Sequence, residues 1–228
     1  MDSKEVVKAS DAPDPNHRAS ILKDEFHHFV KGIMPRMGQA RITLLFCGVI
    51  VLVMIVMFIH HDVFTFLLLA PENELSKDFH MGWTGSLFTY AFVHGGLLHC
   101  VKSILSIIVV GLLLEPHIGR LKTAIVYLAG ILATGVLWLL VASYPLVGAS
   151  GAVFAAVGAL LFVLHRNRSR INLTESLAMG LIASMFILTR LMAPESYPRT
   201  VLIGLPVGYV IVWLFARRGQ METSHGTQ

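Results

Sequence analysis

The sequence is short of charge. Only 14% of its 228 residues are charged while 55% are hydrophobic, and the mean hydropathy is +0.69. A soluble domain carries about a quarter charged residues, so a soluble globular chain, a disordered chain and a coiled coil are all excluded. Cysteine is scarce too. Cys47 and Cys100 both fall in apolar runs, which argues against a disulfide framework. The first 30 residues are polar and lack the short apolar core of a cleavable signal. There is no inverted repeat of apolar segments and few charges lie within them, so a channel or transporter is disfavoured. The net charge of +4 comes from short basic clusters between apolar runs. That distribution reports topology rather than a nucleic-acid partner. What is left is an all-α, polytopic membrane protein.

Six spans are expected, between a polar N-terminal tail (1–41) and a short C-terminal tail (217–228), with the membrane domain over 42–216. Ile42–Ile59 is uncharged over 18 residues, near the ~20 that cross a ~30 Å core. The connection from His61 to His94 is long and aromatic, as suits a segment in the interface. In the second span the uncharged stretch Ile104–Leu114 is too short to cross, so the helix has to begin near Gly95 or Gly96, drawing His99, Lys102 and Ser103 into the membrane. Polar groups at that depth are costly and rare. The third span is expected over Thr123–Ser143, the fourth over Ser150–His165, the fifth over Leu173–Met192 and the sixth over Thr200–Ala216. The fourth is only ~24 Å long at 1.5 Å per residue. Its N-terminus therefore starts below the membrane surface, where irregular backbone survives only inside protein or beside a water-filled cavity. Lys and Arg cluster in the N-tail, at Arg120, at Arg166 and behind the sixth span, against Lys77 and Arg199 in the other connections. The positive-inside rule places both termini in the cytoplasm or its topological equivalent.

Three elements carry chemistry: Phe92-Val93-His94-Gly95-Gly96-Leu97-Leu98-His99 entering the second span, Glu115-Pro116-His117-Ile118-Gly119 ending it, and Gly148-Ala149-Ser150-Gly151-Ala152 opening the fourth. Small residues around Ser150 let backbones turn and approach closely. A serine at a helix N-terminus lies where free N–H groups favour negative charge, which suits a tetrahedral oxyanion. Together these elements resemble the rhomboid intramembrane serine proteases, over Trp83 to Gly158 by motif and over all six spans by topology. The resemblance implies Ser150 as nucleophile, His99 as oxyanion donor, His94 as the histidine that holds the loop, and Glu115 and Gly119 as packing elements. It also implies that Gly148 and Gly151 frame the serine, that Gly204 and Gly208 pack against its helix, and that no metal or cofactor takes part.

Three positions depart from that pattern. Ser103 stands where the family has an oxyanion Asn, and Trp83-Thr84 replaces a Trp-Arg pair. The third departure concerns the base. A serine hydroxyl needs an adjacent base at neutral pH, and rhomboids supply a histidine on the sixth span. Here Val201 occupies the expected position, with Leu205 a second register, and after His165 the only histidine is His225. Lys102, one turn from His99, and His99 itself are alternative bases. The leading expectation is a pseudoprotease that binds transmembrane segments of client proteins in the bilayer without cleaving them. The alternatives are an active endopeptidase with a displaced base and a structural subunit of a membrane complex.

Overall fold

The computed structural model describes residues 38–69, 82–141, 145–166, 180, 184 and 199–225. Of the expected fifth span only residues 180 and 184 are among them, and the loop bearing Lys77 and the side chains of Trp83 and Thr84 lie outside them. The chain divides into residues 1–38 and 39–228, and every element below belongs to the second unit. It is all-α: α1 Arg41–Ile59, α2 Asp62–Leu67, α3 Gly82–Thr89 continued by a 3-10 turn Tyr90–Phe92, α4 Leu97–Ile118, α5 Arg120–Val141, α6 Ser150–Arg166, then a 3-10 turn Arg199–Ile203 leading into α7 Gly204–His225. Among the described residues α1, α4, α5 and Val201–Arg218 are long and apolar enough to cross a membrane, and α6 is a shorter apolar helix.

The core is α6. Its residues from Gly151 to Leu160 are buried without interruption, as expected of a helix that is apolar all round. It packs chiefly on α7, then on α5 and α4. Alanine and glycine make this possible, because without large side chains the helix backbones themselves touch. A Cβ on Gly208 would meet the Ala155 carbonyl, one on Gly158 the Leu205 carbonyl, and one on Gly130 the Gly151 carbonyl. By contrast α1 exposes Leu45, Leu52, Ile55, Phe58 and Ile59, an apolar surface suited to lipid.

The aromatic first connection is less peripheral than the interfacial reading implies. Leu68, Leu69, Tyr90, Ala91 and Val93 are buried. Leu69 and Leu146 form an antiparallel bridge, with Leu146 N–H donating to Leu69 O at 2.6 Å and Leu69 N–H to Leu146 O at 3.2 Å. Tyr90 donates its hydroxyl to the Ile131 carbonyl of α5 at 2.7 Å. The chain is thereby tied just after α3 to α5, through Tyr90, and just after α2 to the segment that precedes Ser150, through Leu69.

Candidate functional site

Ser150 is the first residue of α6 and is half-buried. The first helical hydrogen bond runs from Val153 N–H to Ala149 O at 3.1 Å, so the N–H groups of Ser150, Gly151 and Ala152 precede the intrahelical ladder. They form the positive end of the helix, beside the hydroxyl. The turn before it is held from outside: Gly148 N–H donates to Tyr90 O at 2.9 Å. Gly148 has φ +102°, a region that side chains other than glycine rarely adopt, and it has no room for one. A Cβ there would fall 2.9 Å from His99 Cε1 and 3.0 Å from His99 Nε2, with His94 Cδ2 at 4.0 Å.

The two histidines of the entry motif thus meet at the serine loop. Their rings are 4.9 Å apart, edge to face. His94 is 1% exposed, with Nδ1 3.2 Å from the Phe92 carbonyl and no hydrogen-bond partner at Nε2. It lies in the loop ahead of α4. Burial first, and then the neighbouring His99, push its pKa down to about 4, so it is a neutral imidazole at neutral pH. Ser103 follows His99 by one turn of α4 and is half-buried, whereas Lys102 is exposed.

On the other flank, Gly151 lies between α5 and α7. A Cβ on Gly151 would come within 2.7 Å of Thr134 Oγ1, and one on Gly204 within 2.9 Å of the Gly151 carbonyl. Gly204 begins α7, and one 3-10 turn ahead of it Val201 is fully buried. A valine offers no titratable group at that position.

At the far end of α4, Glu115 is 1% exposed and fully engaged. Its carboxylate accepts Ile42 N–H and Thr43 N–H, each at 2.9 Å, and the Thr43 hydroxyl at 2.8 Å. Tyr127 OH lies 3.1 Å from that hydroxyl. Glu115 therefore caps the N-terminus of α1, satisfying donors that a helix start leaves free and adding negative charge at the positive end. Gly119, at φ +84°, closes α4 behind it. Thr43, Tyr127, Tyr90 and the Leu69–Leu146 bridge were not singled out from the sequence, and only the cost of a buried carboxylate at Glu115 hinted at such partners. Among the described residues no group of three or more His, Cys, Asp or Glu could hold a metal ion.

A family model, the Rhomboid domain, matches residues 79–218. Among curated proteins, the chain is 32% identical over 101 residues to "Inactive RHOMBOID-like protein 8" of Arabidopsis thaliana, covering 44% of this chain and 28% of that one. It is 33% identical over 99 residues to "Rhomboid protease GluP" of Bacillus subtilis (strain 168), covering 43% and 19%. It is 30% identical over 142 residues to "RHOMBOID-like protein 2" of Arabidopsis thaliana, covering 58% and 43%. The chain thus spans less than half the length of each of these relatives.

Proposed function

The chain belongs to the rhomboid family, and from that premise we propose that this integral, multi-pass membrane protein is a pseudoprotease. It binds transmembrane segments of client proteins in the bilayer and does not cleave them. The proposal includes six spans with both termini cytoplasmic. One observation carries it: the buried Val201 stands one turn ahead of Gly204, and Gly204 abuts the first turn of the Ser150 helix. The rhomboid resemblance puts the base at Val201, and between His165 and His225 the chain has no histidine to put there. Relatives with both kinds of name, one inactive and one a protease, are compatible with loss of the base on a retained scaffold.

The test is labelling of Ser150 by a fluorophosphonate, which requires an activated hydroxyl. The parent is expected at background. Val201→His supplies a general base and should give weak labelling. Adding Ser103→Asn restores an oxyanion donor, an element whose loss elsewhere costs about 3–4 kcal/mol of transition-state stabilisation, and should strengthen it. Ser103→Asn alone should do nothing, because such groups act as a unit. Leu205→His should fail, since Leu205 lies against Gly158, two turns of α6 below Ser150.

A second reading has one observation in its favour, the His99 ring against Gly148. If the unmodified protein labels strongly and His99→Ala abolishes the labelling, the protein is an endopeptidase with a displaced base.

A further inference from the structure

We propose that the end of the bundle opposite Ser150 holds a binding site for the phosphate headgroup of an anionic phospholipid, between α6 and α7. A cavity of about 580 Å³ opens there, lined by Phe162, His165, Arg166, Tyr209, Val210 and Trp213. Its walls are aromatic: Phe162 and Tyr209 meet edge to face at 5.2 Å. Its rim is cationic. Arg166 is exposed at the end of α6, and the Arg217 guanidinium lies 4.3 Å from the centre of the Trp213 ring.

Two observations point to a ligand rather than to charges that merely complement a helix end. First, among the residues whose side chains are described, these cations have no acidic counterpart: Asp62 and Glu115 are the only acidic ones there, and Glu115 is occupied by the α1 cap. Second, complementing a helix terminus does not require a cavity, and here Arg166 lines one, together with the Trp213 ring on which Arg217 stacks.

The choice of a lipid over a soluble phosphate comes from α7. Val210 and Leu214, 46% and 45% exposed, lie one turn apart just below Arg217 and Arg218. An apolar strip leading up to a basic rim matches an amphiphile, acyl chain along the strip and phosphate at the arginines. Basic pockets between transmembrane helices bind anionic headgroups in this way. The site does not depend on whether Ser150 is active.

The experiment uses the full-length protein in neutral detergent, with unfolding followed by a thiol-reactive dye, for which the two buried cysteines are the reporters. Titration with phosphatidylglycerol is expected to raise the melting temperature saturably, and phosphatidylcholine of the same chain length is not. Arg166→Gln and Arg217→Gln should each weaken the half-saturating lipid concentration about fivefold. Each variant's lipid-induced shift is read against its own lipid-free melting temperature, since Arg217→Gln also removes the stack on Trp213. Arg217→Lys, which keeps the charge, should recover part of that loss. An equal response to both lipids, or no effect of the arginine substitutions on a folded protein, would overturn the site. If inorganic phosphate at millimolar concentration reproduces the shift, the lipid assignment fails and the ligand is a soluble anion.

Discussion

Glu115 joins two helices through donors 72 and 73 positions away in the chain. Replacing it with Ala leaves two backbone N–H groups and the Thr43 hydroxyl without their acceptor in a buried place. Each such group costs about 1–3 kcal/mol, so Glu115→Ala is expected to destabilise by about 3 kcal/mol or more. Glu115→Gln, which keeps the shape and one acceptor, should lose less, and thermal denaturation in detergent ranks the two. At this scale the sequence is legible by cost and silent about partners. A carboxylate at the end of an apolar helix announces that something satisfies it, but backbone N–H groups leave no mark in a sequence. The same holds for Gly148. The motif marks it as a small residue beside the serine, while the histidine ring that forbids a side chain there comes from a helix 49 positions earlier.

Helix boundaries were legible where composition changes sharply. The expected first span, Ile42–Ile59, is α1 Arg41–Ile59, and the expected fourth, Ser150–His165, is α6 Ser150–Arg166. The sixth differs. It opens as a 3-10 turn and becomes α-helix only at Gly204, then continues to His225 through residues expected to form a tail. Propensity could not show this, because the turn is set by the packing of Val201 and Gly204 against the serine helix. The α6–α7 seam gives a sharp test. Gly208→Ala drives a methyl into the Ala155 carbonyl and Gly158→Ala one into the Leu205 carbonyl. Backbone cannot give way as a side-chain tip can. Each substitution is expected to destabilise by about 1–3 kcal/mol or more. Gly48→Ala on α1, where a Cβ meets nothing within 4 Å, should be neutral or slightly stabilising by helix propensity. Melting curves of the three variants check this ordering.

For the whole molecule the proposed topology follows from loop charge alone and can be read by chemistry. Cysteines introduced at Lys77, Tyr144 and Pro194 should react with an impermeant maleimide added from outside, and one at Arg168 should not. The native thiols, both buried, should contribute little background. Reaction at Arg168 alone would invert the orientation. The enclosure of α6 also bears on how the chain is made. A ribosome delivers α5 before α6, but the helix that covers its other side is α7, completed about 60 residues after Arg166. At about 5–20 residues per second, a newly inserted α6 spends several seconds with its glycine and alanine face open to lipid or to whatever receives nascent membrane helices. The most buried of the described helices is therefore, for those seconds, without the neighbour it packs on most, and a chain that terminates early would hold it in that state.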